Sequence, residues 1–598
     1  MKWEKRTGKI LTLLFLVISL SACGRQEKTI SLVRIVLEDG EGFTAKQQVY
    51  DVEAGSSLTI PFTVEPGYEV QTCSYPDYEI EEGPDESSLL VLAHVRYATR
   101  IRISCTEQHS GDDRAEVLRI EYQLNGGSRD GKSEDSYCVI YRENGHLRVN
   151  TDTAEGIERN GYTFLGWNTA ADGSGTHIGA GSKVTVPDDR RLILYAEWMP
   201  WTEASCFTYV ESEEAVTLTG YTGTKERSSL VIPGSLNGKP VEQIAEGFAD
   251  GLSLHTLVLP DTVRVIEERA FSSFCAEEFF FFDNLEQVWN SSFGGDYQIQ
   301  TYHINAVWKP RYQNGNDNAQ FAEDMDRLIL SERQKKMIFF AGCSMAYGLC
   351  SDQVAEAFQD FVICNMGVAG GLNAEFQVAC IAAYLNRGDV FVHAPEEMSP
   401  YQLFAKFAVD SRIFVMTEGN YDLLALADLS GAIGMWGAFG SYNAERLIRP
   451  EGSYDDQNEH YNTYGDITFF REDSEAGTSF GSETIFAVGY LADGTDTLAN
   501  MNEVYGRLLE KGVTVYVSFA PVNGDAIPEK ERKGAYWDYF SGRLKQGLTS
   551  GITVISEVED YILDGSCFYD EDYHLSSRGA KIRTERLIQD IRVAQTGE

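Results

Sequence analysis

Hydrophobic and polar residues follow different patterns in the N-terminal and C-terminal parts of the chain. From about residue 31 to 106, runs such as SLTIPFTV and TRIRISC alternate apolar and polar positions and are separated by turn sequences such as EDGEG. This period of two is typical of half-buried strands in a small antiparallel β domain. Beyond residue 323, continuous apolar runs alternate with helix-like segments, which indicates a parallel sheet. The pattern predicts a multidomain chain with N-terminal β modules and a C-terminal α/β domain built on a doubly wound parallel sheet.

The C-terminal domain is predicted to span residues 323–598. Its apolar runs predict buried strands at Met337–Gly342, Phe361–Asn365, Val390–Ala394, Val513–Phe519 and Ile552–Ile555. Helices are predicted at Ser351–Gln359, Ala374–Leu385, Leu498–Lys511 and Arg578–Arg592. Residues 400–497 interrupt this alternation with a long insertion rich in aromatic residues and glycine, which we expect to carry a cap on the substrate side.

A repeated segment precedes this domain. Three related sequences, IAEGF, IEERAF and VWNSSF, end in Phe248, Phe271 and Phe293, and the strand-like runs LVIP, LVLP and FFFFD come before them. One short strand and one phenylalanine-bearing turn in each unit predict a solenoid in which every unit buries its face on the next. Residues 205–310 resemble the BspA-type leucine-rich repeats of bacterial surface proteins. The resemblance implies a short solenoid, which we interpret as a spacer with optional binding, and we expect the FFFF run to be a buried strand.

Residues 116–200 contain another module, marked by GYTFLGWNT and YAEW. Trp167 and Trp198 are expected to anchor its small core. The module resembles the Listeria–Bacteroides repeat of internalin-type surface proteins, which implies a β-grasp-like fold and a spacer or contact role on a Gram-positive surface. The small β domain at residues 32–110 precedes it. There, Cys73 and Cys105 lie in neighbouring strand-like runs and are candidates for a disulfide.

The N-terminus has the pattern of an export signal. Basic residues within positions 2–9 precede an apolar run from Ile10 to Leu20, which is too short to span a bilayer. The LSAC sequence that follows resembles the lipobox of bacterial lipoproteins. The resemblance implies a signal peptide at residues 1–22, acylation of Cys23 and a tether over residues 23–31. We therefore expect the protein on the extracellular face of the cytoplasmic membrane, attached by its lipid anchor only; an ordinary secretory signal is the alternative.

The charge balance excludes some classes of partner. The chain has 91 acidic and 50 basic residues and a net charge of -41. This balance argues against nucleic acid as a partner and against electrostatic docking on anionic lipid. No CxxC pair supplies zinc-ribbon spacing, and no acidic or glycine-rich segment has the spacing of a metal-binding or phosphate-binding loop. We therefore predict neither a metal nor a cofactor.

Ser344 is the first candidate catalytic residue, because it follows the first predicted strand of the C-terminal domain. Side chains at this position stand in the crevice where open α/β sheets bind ligands. A serine nucleophile needs a base, a carboxylate that orients the base, and donors for the oxyanion. His574, in the loop before the last predicted helix, is placed to act as the base, with Asp572 or, alternatively, Asp570 as the orienting carboxylate. The non-catalytic alternatives are a helix-capping role for Ser344 and a surface position for His574.

Three short blocks resemble those of the SGNH (GDSL-like) hydrolase and acyltransferase superfamily over residues 323–598: Gly342-Cys343-Ser344, Asn365-Met366-Gly367 and Asp572-Tyr573-His574. The Asp-x-His spacing is closer to the branch that contains alginate-type O-acetyltransferases. The resemblance implies that Ser344 is the nucleophile, His574 the base and Asp572 its orienter. It further implies an oxyanion hole that includes Gly367 and the amide of Ser344.

The chain departs from the family pattern at two positions. Cys343 stands where the family usually has an aspartate, which we expect to affect packing more than chemistry. Glu396 stands about where the family has an asparagine that donates to the oxyanion. A carboxylate can donate to an oxyanion only when it is protonated. This substitution argues against efficient hydrolysis.

Two functions from different classes fit these observations. The first is a cell-surface serine esterase or O-acyltransferase that acts on esters of cell-wall or extracellular glycans. The second is a non-catalytic adhesin in which the SGNH-like domain is a degenerate binding fold and the repeats contact a host or cell-wall ligand. Fold resemblance alone does not decide between them, because activity depends on the site.

Overall fold

The computed structural model describes residues 32–107, 117–308, 317–367, 374–395, 409, 411–426, 434–448, 461–472 and 491–596, apart from short gaps within the longer ranges. The chain forms two compact units, residues 1–109 and 110–598. The predicted signal peptide, Cys23 and the tether lie outside the described residues. Within the described part of the chain, no helix is both long enough and apolar enough to cross a lipid bilayer.

The first unit is a strand-rich domain, as the alternating pattern predicts. Its strands are Leu32–Leu37, Phe43–Ala45, Val49–Glu53, Ser56–Val64, Tyr68–Cys73, Tyr78–Glu82, Ser88–Val95, Thr99–Ile101 and Ile103–Glu107. Inward-facing residues such as Ile35 and Ile60 form its core. The register places Cys73 opposite Ile103 rather than opposite Cys105. No disulfide joins these two cysteines in the described structure.

The second unit begins with a β module. Its strands are Val117–Gln123, Ser128–Arg129, Ser136–Arg142, Arg148–Asn150, Ile157–Glu158, Tyr162–Asn168, His177–Ile178, Lys183–Thr185 and Arg191–Pro200. The first and last of these run parallel at the centre of a five-stranded sheet, between antiparallel neighbours. Trp167 is completely buried against Tyr122, which confirms its predicted place in the core. Trp198 is only partly buried and donates a hydrogen bond to a main-chain carbonyl at 2.8 Å.

Short strands stack along residues 205–310, mostly in parallel, with antiparallel pairs near the start of the segment. The strands are Phe207–Glu211, Val216–Tyr221, Ser229–Val231, Ser235–Leu236, Lys239–Ile244, Ala249–Asp250, Ser253–Val258, Val265–Ile266, Phe271–Ser272, Cys275–Phe282 and Gln298–Asn305, with 3₁₀ turns at Ala204–Cys206 and Asn290–Phe293. Leu230 lies beside Leu257, Leu257 beside Phe279, and Phe279 beside Tyr302. The FFFF run is a buried strand, as predicted. The three predicted phenylalanines are also buried: Phe248, Phe271 and Phe293.

The C-terminal domain contains a five-stranded parallel sheet. Its strands are β1 (Lys336–Phe340), β2 (Val362–Asn365), β3 (Val390–His393), β4 (Thr514–Val517) and β5 (Ile552–Val554). They lie in the order β2-β1-β3-β4-β5, and every neighbouring pair is parallel. All five predicted strands are confirmed, each slightly shorter than its apolar run. A separate parallel pair joins the short strands Val522–Asn523 and Ile562–Leu563.

The helices of this domain and its insertion lie before, between and after these strands along the chain. They are α1 (Asp317–Leu330), α2 (Cys343–Gly348), α3 (Ser351–Ala357), α4 (Ala374–Ala383), α5 (Arg412–Met416), α6 (Met435–Ile448), α7 (Thr497–Glu510), α8 (Gly534–Gly547) and α9 (Ser577–Thr596), with 3₁₀ turns at Tyr421–Leu426, Val558–Tyr561 and Gly565–Cys567. The four predicted helices correspond to α3, α4, α7 and α9. Helices α1, α4 and α7 pack in one group, whereas α2 and α3 pack against α9. Every residue of β1 is buried, as expected for an interior strand of a covered parallel sheet.

The repeats and the α/β domain share one hydrophobic core. Trp436, on α6 in the insertion, is fully buried among aromatic side chains of the repeats. Its ring centroid lies 4.6 Å from that of Phe293 and 5.3 Å from that of Phe281. The 3₁₀ turn at residues 421–426 packs along the last repeat strand. The insertion thus covers the last strands of the stack.

A buried polar cluster accompanies this aromatic contact. Tyr421 Oη donates to Asp283 Oδ2 at 3.1 Å and lies 2.8 Å from Tyr442 Oη. Glu418 and Arg446 form a buried ion pair in the same cluster. Complete burial raises the pKa of the Asp283 carboxyl to about 7. The contact between the repeats and the insertion therefore includes a group that titrates near neutral pH.

Replacement of Trp436 by alanine should destabilise the second unit by about 3–5 kcal/mol, because the substitution leaves a cavity among aromatic side chains. Chemical denaturation of the full chain measures this loss. Trp289→Ala is the matched control, because Trp289 is 37% exposed and its removal should cost much less. Equal losses for the two variants would contradict the shared core.

Asp283→Asn should flatten the dependence of the free energy of unfolding on pH. The ordinary pKa of Asp283 is 3.8, and its value in the folded chain is about 7. Between these values the unfolded chain releases the proton and the folded chain keeps it, so this group's contribution to stability falls as pH rises, by at most about 1.4 kcal/mol per pH unit. Denaturation series from pH 4 to 8 measure the slope. Asp250→Asn, at an exposed position, is the control. Equal slopes for wild type and Asp283→Asn would refute the link between protonation of Asp283 and stability.

Candidate active site

The first candidate residues lie where the interior strand β1 of the sheet ends. After β1, Ala341 and Gly342 lead into α2, which begins at Cys343. The chain passes from β1 to β2 on one side of β1 and then returns to β3 on the other side, so the direction of the strand order reverses at β1. Ligands of open α/β sheets bind at such a switch point, outside the carboxyl ends of the strands. Cys343 and Ser344 are therefore at the position that the sequence predicts for a functional side chain.

A tight loop before α9 presents His574. Phe568 and Leu575 form an isolated antiparallel bridge, and the amide of Tyr569 donates to the carbonyl of His574 at 2.8 Å. Within this loop, His574 Nδ1 lies 2.9 Å from Asp570 Oδ1. The other ring nitrogen, Nε2, lies 3.0 Å from the sulfur of Cys343. The loop and the turn after β1 thus bring a thiol, an imidazole and a carboxylate into one hydrogen-bonded row.

This row differs from the one that the sequence predicted. The residue whose side chain meets His574 Nε2 is Cys343, one position before Ser344. Successive side chains on a helix point about 100° apart, so only one of these two neighbours can face the histidine in this way. Cys343 is partly exposed, whereas Ser344 is completely buried. These observations favour Cys343 as the nucleophile and leave the predicted role of Ser344 without support from this contact.

The orienting carboxylate also differs from the first expectation. Asp570, the alternative in the sequence analysis, contacts His574 Nδ1. Asp572 Oδ1 instead accepts a hydrogen bond from Asn523 Nδ2 at 3.2 Å, and its carbonyl accepts from the amide of Asn523 at 3.2 Å. Asp572 therefore joins its loop to the short strand Val522–Asn523, which suits a structural role.

The imidazole of His574 contacts an aromatic ring with its face and carboxylates with its ring nitrogens. The ring of Tyr347 stacks on it with a centroid distance of 3.9 Å and an interplanar angle of 4°. Glu571 Oε2 lies 3.8 Å from His574 Nε2, so two carboxylates flank the ring. These negative charges stabilise a positively charged imidazolium, the form that accompanies a thiolate.

The predicted oxyanion residues have other partners or lie outside the description. The amide of Gly367 donates to Asn365 Oδ1 at 3.0 Å. A side chain at position 367 would meet Met345 Cβ at 2.6 Å, so glycine permits close packing of this turn on α2. The oxyanion role of Gly367 remains a prediction, because its amide already makes a hydrogen bond within the chain. Glu396 lies outside the described residues.

The insertion contributes buried charged residues that sequence analysis did not identify. Asp466 accepts hydrogen bonds from the Ser351 amide at 2.8 Å, from Ser351 Oγ at 2.6 Å and from Asn365 Nδ2 at 2.8 Å. Burial raises the pKa of the Asp466 carboxyl, whereas these hydrogen bonds oppose the shift. Arg471, also in the insertion, donates to the carbonyls of Tyr347 and Leu575. No motif marks either residue, because both act through contacts distant in sequence.

No protein-family model and no curated protein sequence matches this chain. Among the described residues, no group of three or more His, Cys, Asp or Glu side chains is arranged to hold a metal ion. The functional argument therefore depends on the geometry of the row formed by Cys343, His574 and Asp570.

His574→Asn should slow the alkylation of Cys343 by iodoacetamide about tenfold or more at pH 7, because the thiol loses the base that promotes its thiolate. Peptide mapping by mass spectrometry over time measures this rate, with the exposed Cys138 as an internal reference. Asp570→Asn should slow the reaction in the same direction, whereas Asp572→Asn should leave it near the wild-type rate. If Asp572→Asn slowed alkylation more than Asp570→Asn, Asp572 would be the orienting carboxylate, as the sequence analysis first proposed.

Proposed function

We propose that residues 323–598 form an SGNH-like domain that catalyses acyl transfer from an ester, with Cys343 as the nucleophile. The protein would be an esterase or O-acyltransferase acting on esters of cell-wall or extracellular glycans. The observation that carries this proposal is the row in which His574 lies 3.0 Å from the Cys343 sulfur and 2.9 Å from Asp570. A nucleophile, a base and an orienting group at these distances are the arrangement that covalent acyl transfer requires.

The first half of the reaction transfers the acyl group to sulfur. His574 Nε2 takes the proton of the Cys343 thiol, and the thiolate attacks the carbonyl carbon of the ester. Asp570 accepts the Nδ1–H hydrogen bond, which keeps Nε2 directed at the sulfur. The C–O bond of the tetrahedral intermediate then breaks, and the imidazolium returns the proton to the departing alcohol. The product is a thioester on Cys343.

The second half releases the acyl group. His574 Nε2 takes a proton from water or from a sugar hydroxyl, and that oxygen attacks the thioester carbonyl. When the C–S bond breaks, the imidazolium protonates the sulfur and restores the thiol. Water gives net hydrolysis, and a sugar hydroxyl gives O-acyl transfer. A thiol suits this cycle, because cysteine is more readily ionised and more nucleophilic than serine near neutral pH.

The other modules give this activity its proposed setting. Acylation of Cys23 would tether the chain to the extracellular face of the cytoplasmic membrane. The β module and the repeats, which resemble surface repeats, would contact cell-wall or host ligands. One observation favours the alternative, a non-catalytic adhesin: the Gly367 amide, expected in the oxyanion hole, is bonded to Asn365.

Incubation with p-nitrophenyl acetate should place an acetyl group on Cys343, detected by peptide mapping and removed by neutral hydroxylamine as expected for a thioester. Cys343→Ala should abolish this labelling, and Ser344→Ala should retain it. His574→Asn should lower the labelling rate by about two to four orders of magnitude, the usual contribution of a general base. Acetylation of Ser344 in place of Cys343 would reassign the nucleophile. An unlabelled chain that still binds glycan when Cys343 is replaced would favour the adhesin.

A further inference from the structure

Arg471 connects three parts of the candidate site. Its side chain is 4% exposed, and it lies in the insertion rather than in the parallel sheet. Nη2 donates to the carbonyl of Tyr347 at 2.8 Å, and Nε donates to the carbonyl of Leu575 at 2.8 Å. Tyr347 belongs to α2, the helix that begins with Cys343, and Leu575 directly follows His574. One guanidinium therefore joins the helix that carries the thiol to the loop that carries the base.

The main chain of Arg471 strengthens the same connection. Its amide donates to Ser577 Oγ at 3.0 Å, and its carbonyl accepts from the Ser577 amide at 3.0 Å. The remaining guanidinium nitrogen, Nη1, donates within the insertion to the carbonyls of Ile467 at 3.1 Å and Phe469 at 3.4 Å. These contacts fix Arg471 to the start of α9 and to its own segment.

The ring of Tyr347 transmits this constraint to the imidazole. The Cζ atom of Arg471 lies 5.4 Å from the centroid of the Tyr347 ring. The same ring is stacked on His574 with nearly parallel planes. Displacement of Tyr347 would remove the surface against which the imidazole lies.

We propose that Arg471 is a positioning residue, which sets the distance and the orientation of His574 relative to Cys343. This inference rests on the proposed function in that it concerns the same thiol and the same base. It assigns to the insertion a part of the site: the insertion supplies the clamp that holds the nucleophile and the base together.

The geometry of the clamp requires the shape of arginine as well as its charge. A planar guanidinium can direct several N–H bonds at fixed angles toward separate carbonyls, whereas a lysine ammonium is a compact point charge. Charged groups near the clamp include Asp570 and Glu571 beside His574, Asp466 within the insertion, and Arg583, which donates to the carbonyl of Gly348 in α2. A lysine at position 471 would keep a positive charge near these carboxylates. It would lose the planar set of N–H groups that donate to separate carbonyls. The Arg471→Lys variant therefore separates geometry from charge.

The experiment measures the rate of iodoacetamide alkylation of Cys343 from pH 5 to 10 in the full chain. Arg471→Lys and Arg471→Met should both slow alkylation at pH 7 by about tenfold to a hundredfold, the range expected when a reacting pair is misplaced by about 1 Å. In both variants the pH midpoint of Cys343 alkylation should also move toward the pH midpoint measured for the exposed Cys138. Arg507→Lys, at a half-exposed arginine of α7 that pairs with Glu503 on the same helix, is the control and should stay near the wild-type profile. A wild-type profile for Arg471→Lys would overturn the positioning role.

A second pair of variants keeps the inference testable where Arg471 variants do not fold, as judged by thermal unfolding. Tyr347→Leu removes the stacked ring and should slow alkylation, whereas Tyr347→Phe keeps the ring and should not. Equal rates for these two variants would also overturn the proposal. The readout needs no ester, so it is independent of the proposed acyl transfer. Fast alkylation of Cys343 without acylation by esters would refute the proposed function and leave the role of Arg471 to be decided by these variants.

Discussion

The burial of Trp436 among the aromatic side chains of the repeats is the contact on which the arrangement of the second unit depends. It joins the insertion of the α/β domain to a stack of strands that would otherwise end at an open face. The insertion covers the last strands of this stack, and the same insertion supplies Asp466 and Arg471 to the candidate site. The repeats and the site therefore depend on one inserted segment.

Much of the fold could be predicted from sequence, because buried parallel strands leave a direct signal. The run around β1 is apolar at successive positions, and all five strands of the sheet were placed from such runs. The phenylalanines at 248, 271 and 293 were identified by their spacing, and all three are buried. The insertion helices had no comparable signal. Helix α6 is apolar on several sides because it packs between two modules, and that environment exists only in the folded chain.

The sequence predicts that His574 and the turn after β1 lie at the same edge of the sheet, because loops at the carboxyl ends of parallel strands meet there. In the structure His574 Nε2 lies 3.0 Å from the sulfur of Cys343 in that turn. The choice between Cys343 and Ser344 depends on the backbone at Gly342, where φ is -83° and ψ is -154°, and on the phase of the short helix that follows. The choice between Asp570 and Asp572 depends on the bridge that closes the histidine loop. Neither feature is encoded in a spacing rule.

Two buried arginines contact the short helix α2, although the chain has only 50 basic residues against 91 acidic ones. Helix α2 has six residues, so most of its carbonyls lack partners within the helix. Arg471 donates to the carbonyl of Tyr347 at 2.8 Å, and Arg583 donates to that of Gly348 at 3.3 Å. Cations at a helix C-terminus stabilise it through both hydrogen bonds and the helix dipole. Two buried arginines thus hold the C-terminal end of the helix whose first residue, Cys343, lies against His574.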